Sequence, residues 1–373
     1  HKKNIFVVGI DPDPNAVCKN DVDIFAVIDG QDYAGTLAVA KKYSISGVVT
    51  AATDKPLVMM ARIAAELRLP FYSVETAERS TDKYKMKQCF LEAGIPCAQG
   101  RLATSAEDVA DFNLPVIVKP RDSSGSRGVK LCKNREDLQT CLDEALQYSH
   151  LNSVLVEEFI DGMEYSIESL HYAGKTDVLQ FTEKKTTPFP YNVELGHKQP
   201  ANLTTEQCND IKHIINNIAA ALHFENCSSH TELKINDRGI FVIETSPRLG
   251  GGYITSTLVP LSTGINMEDQ ALNIALGDTV DITTGRTEKA SGICFFSLPE
   301  GRLKRIDNAI NDVLNWPNVV DFNFTLRTND IVHKLKNGLD RYGYFIVGAD
   351  HRKDIDNLIT QYEHTVSSFI DIE

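Results

Sequence analysis

The hydrophobic pattern of the first 78 residues alternates between two kinds of segment. Short continuous apolar runs are typical of parallel strands that are buried on both faces. Such runs lie at residues 5–10, 24–28 and 47–50. Segments with helical spacing separate them, at residues 33–43 and 56–67. The pattern therefore predicts a doubly wound α/β domain over residues 1–78.

The pattern changes near residue 80, where Ser80-Thr81-Asp82 can cap a helix over residues 83–93. The strands and helices that follow predict a second domain over residues 79–290. A last piece, residues 291–373, is rich in predicted strands and closes with a helix. The apolar stripe of that helix consists of Ile355, Leu358, Ile359, Tyr362 and Val366. The fold class is therefore α/β, with α+β character in its later parts.

The start of the chain is unusual for a domain of this kind. A nucleotide-type α/β domain normally opens with a strand, a glycine turn and a helix before a strand like residues 5–10. The chain instead begins at His1, without a methionine. We expect that one strand and one helix precede His1 in the full-length protein, or that His1 is the remnant of a cloning tag.

Composition excludes several classes of function. The net charge of -13, without a cluster of basic residues, argues against a nucleic-acid partner. No apolar run approaches the roughly 18 residues of a membrane span. The 8 cysteines are scattered without a CxxC pair, which is typical of reduced thiols in the cytoplasm.

One candidate phosphate site follows an apolar strand at residues 115–118, which ends in Lys119. A loop of glycine and serine comes next, and its backbone N–H groups can turn around phosphate oxygens. Lys119 would contact the α- and β-phosphates as a mobile charge. This is not a Walker A loop, because the lysine precedes the glycines. A polar hairpin with an exposed lysine explains the pattern equally well. The candidate loop residues are Ser123, Ser124, Gly125, Ser126 and Gly128.

A second candidate site is the segment 154–164, in which an apolar strand breaks into a short linker. Backbone groups of such a linker can contact an adenine edge, and the carboxylate of Glu164 can accept hydrogen bonds from ribose hydroxyls. The alternative is a surface turn with solvated acids.

The strongest candidate site is a predicted hairpin that carries Glu232 and Glu244 on its two strands, with a turn at residues 236–239. Antiparallel pairing places both carboxylates side by side, which suits Mg²⁺ bridging triphosphate oxygens. Arg248 follows four residues later, where a guanidinium can stabilise charge on an acyl-phosphate. Two surface acids on a hairpin are the alternative.

The order and spacing of these motifs resemble the ATP-grasp superfamily, which includes biotin carboxylase, D-alanine–D-alanine ligase and many amino-acid ligases. The resemblance implies an ATP-grasp fold, in which residues 1–78 are the domain before the grasp and residues 79–290 are the ATP-grasp domain. Residues 111–159 would form its lid, and residues 291–373 a β-rich C-terminal subdomain. It also implies that ATP binds with two Mg²⁺ ions, for which Mn²⁺ can substitute.

The resemblance assigns roles residue by residue. Lys83 and Lys119 match the two nucleotide lysines, and Arg248 matches the catalytic arginine. Glu232 and Glu244 match the two metal carboxylates. This chain has Ser246 where many members have a metal-binding Asn, and a serine oxygen can still bind Mg²⁺ or a water. The nucleotide linker and its ribose carboxylate match Glu157, Glu158, Ile160 and Glu164.

A narrower resemblance concerns residues 183–197, which look like the substrate-side loop of carboxylate–amine ligases. That group includes bacterial L-amino acid (dipeptide) ligases and the pyrrolysine-pathway ligase. By this match Lys184 approaches the γ-phosphate, and Glu194 or His197 approaches the amine nucleophile. A structural role for His197 is equally consistent with the pattern. Arg341 faces a substrate carboxylate or forms a surface salt bridge.

The implied activity is ligation of a carboxylate to an amine through an acyl-phosphate, with release of ADP and phosphate. The partners are then two small molecules, and a homodimer is one expected assembly because related ligases are often dimers. A carboxylase or formyl transferase acting on a purine-type precursor is a second reading. A non-catalytic nucleotide-binding protein is a third, which the retention of Glu232, Glu244 and Arg248 disfavours. The sequence does not identify either substrate.

Overall fold

The computed structural model describes residues 3–123, 125 and 127–373. Its N-terminal domain contains two parallel strands, β1 (Val8–Asp11) and β2 (Ile24–Val27). Three helices follow: α1 (Tyr33–Lys42), α2 (Leu57–Leu67) and α3 (Val74–Thr81).

The third strand predicted for this domain is absent, because residues 47–50 are extended but pair with no strand in the described part of the chain. Gly47 lies against the backbone of Ala275 so closely that a Cβ would overlap that carbonyl oxygen. This segment therefore packs on a helix of the second domain instead of extending the sheet. The prediction of a strand at residues 47–50 is therefore wrong, and the N-terminal sheet has two strands among the described residues.

Helix α4 (Lys83–Glu92) begins where the capping pattern predicts. Asp82 is its N-cap, and the carboxylate accepts hydrogen bonds from the backbone N–H groups of Tyr84 and Lys85. The cap fixes Lys83 in the first turn of the helix. Met86 and Phe90 are buried in the main core.

A four-stranded antiparallel sheet covers most of the predicted lid. Helix α5 (Leu138–Leu146) packs on one face of this sheet, against Val116, Val118, Val154 and Val156. Because side chains alternate along a strand, Lys119 and Glu157 lie on the opposite face. The strands, in the spatial order β3-β6-β4-β5, are β3 (Gly100–Ala103), β4 (Val116–Pro120), β5 (Lys130–Cys132) and β6 (Val154–Glu158).

The main sheet carries the rest of the candidate site. Helix α6 (Thr205–Leu222) buries Ile211, Ile215 and Ile218 against one face of this sheet, as its apolar spacing predicts. Helices α7 (Val259–Thr263) and α8 (Met267–Leu276) follow the last of its central strands, after a π-helical turn at Ile254–Leu258. The central strands are β7 (Met163–Tyr172), β8 (Lys175–Thr186), β9 (Glu194–Gln199), β10 (Cys227–Asn236) and β11 (Gly239–Ser246).

The C-terminal segment extends this sheet. Strand β12 (Ala290–Phe295) pairs with β9 on one side and with a later strand on the other, so the predicted boundary at residue 290 falls inside the sheet. The remaining elements are β13 (Gly301–Ile306), β14 (Val319–Phe324), β15 (Ile331–Val332), β16 (Gly343–Ala349), α9 (Arg352–Ser368) and β17 (Ile370–Ile372).

The resulting order of the eight-stranded sheet is β11-β10-β7-β8-β9-β12-β16-β14. A smaller sheet has the order β15-β13-β17. The apolar stripe predicted for α9 is buried at Ile355, Ile359, Tyr362 and Val366. Within the described residues, no helix combines the length and apolar character needed to cross a bilayer.

The core beneath α6 yields a test of the fold. Leu222 is 0% exposed, whereas Leu339 is 95% exposed. We expect Leu222→Ala to lower the free energy of unfolding by about 2–5 kcal/mol, because it removes buried methyl groups and leaves a cavity. Leu339→Ala should change it by less than about 0.5 kcal/mol. Urea unfolding followed by circular dichroism measures both, and equal effects would contradict this packing.

Candidate active site

The hairpin β10–β11 brings together the two predicted metal carboxylates. Its register pairs Glu232 directly with Glu244, next to a bulge between Glu232 and Leu233. Directly paired residues point to the same face of a sheet. Both carboxylates are therefore neighbours on the face opposite to α6, in the arrangement that the sequence predicts.

Lys184 is the centre of the site. It lies on β8, with Glu164 opposite on β7 and His197 opposite on β9. Its ammonium nitrogen lies 2.8 Å from Glu164 Oε1, 3.0 Å from Glu194 Oε1 and 2.6 Å from Glu232 Oε1. One buried lysine thus joins the candidate ribose, amine and metal carboxylates.

The electrostatics of this cluster are dominated by its acids. Burial lowers the pKa of Lys184, but Glu164, Glu232 and Glu194 outweigh it and raise that pKa well above its ordinary value. Burial raises the pKa of Glu232, but Lys184 and His230 lower it by more, so the pKa lies below its ordinary value. Three carboxylates share one lysine, and Arg341, 3.7 Å from Glu194, offsets only part of the excess. Negative charge is therefore in excess, which favours an additional cation.

Lys83 binds the second carboxylate of the hairpin. Its Nζ lies 3.2 Å from Glu244 Oε2 and donates a hydrogen bond to the carbonyl oxygen of Ser123 at 2.8 Å. Burial lowers the pKa of Lys83, and the nearby Glu244 and Asp54 raise it by more. Lys83 therefore connects the hairpin to the loop that follows β4.

Lys119 lies on the inner face of the lid sheet. It is 4% exposed and forms an ion pair with Glu157, which is equally buried. The reading of Lys119 as an exposed hairpin lysine is therefore wrong. The Glu157 carboxylate is therefore paired with lysines and is not available to a nucleotide. The next linker residues are Glu158, 3.4 Å from Arg238, and Ile160, which is buried.

The glycine loop after β4 is described only in part. Gly125 and Gly128 have φ angles of 65° and 76°, a left-handed conformation that favours glycine. The carbonyl of Ser123 faces Lys83. The predicted contacts of Ser124 and Ser126 fall outside the described residues.

Asp54 is a site residue that the sequence did not reveal. It comes from the N-terminal domain and accepts hydrogen bonds from Arg248 Nε at 2.9 Å and from the Ser246 hydroxyl at 2.6 Å. Burial raises the pKa of Asp54, but Arg248 and Ser246 outweigh it, so the pKa is lowered. Asp54 therefore fixes the orientation of Arg248. Nothing in the local sequence marks it, because its partner lies almost 200 residues away.

His230 and Glu168 form a second pair that the sequence did not reveal. Glu168 Oε1 lies 2.6 Å from His230 Nδ1, and His230 Nε2 lies 3.5 Å from Glu232. Burial lowers the pKa of His230, but Glu168 raises it more strongly, to about 9. Gly250 covers the pair, and a Cβ at Gly250 would lie 2.6 Å from His230 Nδ1. This contact explains one of the three successive glycines after Arg248.

The candidate amine pocket adjoins Lys184. His197 is fully buried, with Nε2 3.6 Å from Glu194, and within the described residues neither ring nitrogen has a hydrogen-bond partner. The guanidinium carbon of Arg341 lies 3.9 Å from the centre of the Phe295 ring. A Cβ at Gly252 would lie 2.9 Å from His197 Nε2. Arg341 is thus partly buried against Phe295, with its guanidinium 3.7 Å from Glu194.

A cleft of about 1660 Å³ opens the site towards the N-terminal domain. Its lining includes Asp54, Lys83 and Ser123 but neither Glu232 nor Glu244. The two carboxylates lie outside this lining, where Lys184 contacts Glu232 and Lys83 contacts Glu244.

The residues fit a divalent cation that takes its other ligands from a nucleotide. Over the described ranges, no group of three or more His, Cys, Asp or Glu side chains has the arrangement of a complete metal site. Glu232 and Glu244 supply two adjacent carboxylates in a region of excess negative charge. Mg²⁺ is typically bound by one or two carboxylates together with substrate phosphates. The Ser246 hydroxyl donates its proton to Asp54, which leaves the oxygen lone pairs available to a cation or a water.

The raised pKa of His230 predicts a pH-dependent contribution to stability. A group whose pKa is raised in the folded state stabilises the fold fully below its ordinary value, near 6.5, and this contribution is lost as the pH rises through about 9. We expect His230→Gln to destabilise the protein more at pH 6.5 than at pH 9.5, measured as the shift in urea midpoint. The exposed His213→Gln is the control. A loss that is equal at both pH values would contradict a charged His230.

Comparison with known proteins identifies two regions of the chain. Residues 112–257 match the family model of the ATP-grasp domain. Residues 294–368 match the model of the L-amino acid ligase C-terminal domain 2.

Individual proteins are also similar to this chain. An uncharacterized protein from Sinorhizobium fredii is 27% identical over 346 residues, covering 90% of this chain and 71% of the relative. An alanine–anticapsin ligase from Bacillus amyloliquefaciens is 25% identical over 280 residues, covering 67% of this chain and 58% of that ligase.

The same fold is found in a crystal structure of an L-amino acid ligase from Bacillus licheniformis. The TM-score is 0.83 at 20% identity, with 100% of this chain and 93% of that chain covered. ATP-grasp enzymes use ATP and divalent metal ions. Residues 112–257 are thus an ATP-grasp domain, and the chain as a whole is similar to ATP-grasp carboxylate–amine ligases.

Proposed function

We propose that the protein joins the carboxylate of an amino acid to an amine, with ATP as the energy source. The substrate carboxylate attacks the γ-phosphorus of ATP, which breaks the bond to the β-phosphate oxygen and gives an acyl-phosphate and ADP. The amine then attacks the acyl carbon, loses a proton and displaces phosphate, giving an amide. The observation that carries this proposal is the contact of Lys184 with Glu232 and with Glu194, which makes the phosphate region and the amine pocket one continuous site.

The nucleotide lies between the lid sheet and the main sheet in this proposal. Lys83 and Lys119 bind its phosphates, and Gly125 and Gly128 allow the loop backbone to approach them. The backbone of residues 157–160 contacts the adenine, and Glu164 accepts hydrogen bonds from the ribose. The lid excludes water, which would otherwise hydrolyse the acyl-phosphate.

Glu232 and Glu244 would hold Mg²⁺, with two ions as the expected number and Mn²⁺ as a substitute. The metal supplies positive charge that neutralises the transferring phosphoryl group. The chain supports that role by holding the two carboxylates in register and by orienting Glu232 between Lys184 and His230.

Arg248 stabilises the negative charge that develops on the transferring phosphate and on the tetrahedral centre. Its guanidinium is already oriented by Asp54 and by the carbonyl of Leu249. A preorganised cation does not need to reorganise during the reaction, and this is a main source of enzymatic rate enhancement.

Glu194 and His197 receive the amine. Burial raises the pKa of Glu194, but Lys184 outweighs it and holds that pKa well below its ordinary value, so Glu194 is a carboxylate at neutral pH. A carboxylate attracts an ammonium group, and an imidazole nitrogen without a partner can accept the proton that the amine loses. The guanidinium of Arg341 can form an ion pair with a substrate carboxylate. Together, Glu194, His197 and Arg341 support an amino acid as substrate. The match of residues 294–368 to an L-amino acid ligase domain supports the same class.

The direct experiment incubates the protein with ATP, Mg²⁺ and a panel of amino acids, and assays ADP, AMP and phosphate. We expect ADP release that depends on an amino acid, together with an acyl product that hydroxylamine traps. Release that depends on bicarbonate would instead support a carboxylase. AMP as the product would contradict the proposed acyl-phosphate.

Removing one metal carboxylate tests the metal assignment. We expect Glu244→Gln to reduce turnover at least about 100-fold, because the neutral amide loses charge that holds the cation and that faces Lys83. Thermal unfolding should show an intact fold. Glu92→Gln, at an exposed site on α4, is the matched control. Turnover of Glu244→Gln within about threefold of the unmodified protein would remove the metal assignment.

The Asp54–Arg248 pair gives a graded test. We expect Arg248→Ala to lower kcat about 100- to 1000-fold, as loss of an oxyanion donor does. Asp54→Asn should lower kcat by about tenfold, since the arginine remains but is less well oriented. Isothermal titration calorimetry with ADP should show little change in either variant. Asp278→Asn is the exposed control. Loss of nucleotide binding in parallel with kcat would show a structural arginine instead.

A further inference from the structure

Lys87 is a buried lysine to which the mechanism above gives no role. It lies on α4, one turn after Lys83, and is 3% exposed. Its Nζ donates a hydrogen bond to the carbonyl oxygen of Ala98 at 2.7 Å and lies 2.9 Å from Glu157 Oε2. Burying an ammonium group costs free energy unless it is paired and hydrogen-bonded. Lys87 meets both conditions through Glu157 and the backbone.

Glu157 is shared between two lysines. Its other oxygen, Oε1, contacts Lys119 on the lid sheet. Burial raises the pKa of Glu157, and Lys119 and Lys87 lower it by more, so the carboxylate stays charged. The three groups therefore carry a net positive charge. Without Lys87, the charge of Lys119 would be balanced by Glu157, and this face of the lid would offer the triphosphate no net charge.

Lys87 also connects the lid to the metal carboxylates. Lys83, four residues earlier on the same helix, contacts Glu244. Four residues of helix span about 6 Å, so both lysines are fixed by one rigid turn. The order of contacts runs from Glu244 through Lys83 and Lys87 to Glu157 and Lys119. Helix α4 thus sets the position of the lid sheet relative to the hairpin.

We propose that Lys87 is a positioning residue for nucleotide binding. It balances the negative charge of Glu157, so that Glu157 does not cancel the positive charge that Lys119 presents to the phosphates. This inference rests on the proposed function, in which Lys119 binds ATP. Lys87 does not touch the nucleotide, because it is buried between α4 and the lid sheet. It acts through Glu157.

The test is a set of equilibrium affinities for ADP with Mg²⁺, measured by isothermal titration calorimetry. We expect Lys87→Met to weaken binding by about tenfold, because the remaining carboxylate balances Lys119. Lys87→Arg should bind within about threefold of the unmodified protein, because it keeps the charge. Lys85→Met, at an exposed position on the same helix, should bind equally well.

The double variant Lys87→Met/Glu157→Gln gives the sharpest outcome. It removes one positive and one negative charge, so Lys119 again carries the net charge, and affinity should return to within about threefold of the unmodified protein. A lysine that only stabilised the fold would change the unfolding temperature and leave the affinity unchanged. Lys87→Met binding as tightly as the unmodified protein would therefore overturn the proposal, and so would a double variant no better than the single one.

A variant that fails to fold and a failure of the proposed function can each be distinguished from a failure of this inference. Should Lys87→Met fail to fold, the pair Glu157→Gln and Lys87→Met/Glu157→Gln replaces it. Glu157→Gln keeps both lysine charges and the double variant keeps only that of Lys119, so Glu157→Gln should bind ADP at least as tightly as the double variant, and clearly weaker binding by Glu157→Gln overturns the proposal. No nucleotide binding by the unmodified protein would overturn the proposed function as well as this inference. Normal binding with no effect of Lys87 would overturn the inference alone.

Discussion

One ammonium group surrounded by three carboxylates is the interaction on which the site depends. Lys184 contacts Glu164, Glu194 and Glu232, which come from three different strands of the main sheet. Removing Lys184 would leave these acids facing one another in a poorly solvated region, where like charges repel strongly. The lysine therefore allows the groups proposed for ribose, amine and metal binding to lie within one small volume. It leaves the region negative enough to attract a cation.

Each charged group of the site is held by a partner from a different part of the chain. Arg248 is oriented by Asp54 of the N-terminal domain, Glu232 by Lys184 of β8, and Lys119 by Glu157 of β6. Such pairs contribute little to net stability, because desolvation offsets their attraction. Their value lies in orientation, since side chains fixed before a substrate arrives lose less entropy on binding.

The sequence predicted the parts of the site that are local in the chain. The hairpin of Glu232 and Glu244 was readable because its turn and both strands lie within twenty residues, and Lys119 because a buried strand ends there. Asp54, Lys87 and the Glu168–His230 pair were not readable, since each is an ordinary residue whose partner is distant in sequence. The missing third strand near Gly47 has a similar cause. The apolar residues there fit a buried strand as well as a segment packed on a helix, and only the contact with Ala275, distant in sequence, distinguishes the two.

The pairing of β12 with β9 has a consequence for any attempt to shorten the protein. Strand β9 begins with Glu194 and includes His197, and β12 covers the edge that β9 would otherwise expose. A chain ending before residue 290 would present unpaired backbone groups along the strand that carries the proposed amine pocket, a surface prone to aggregation. It would also lose Phe295 and Arg341 from that pocket. The C-terminal segment is thus an integral part of the catalytic body rather than a detachable accessory.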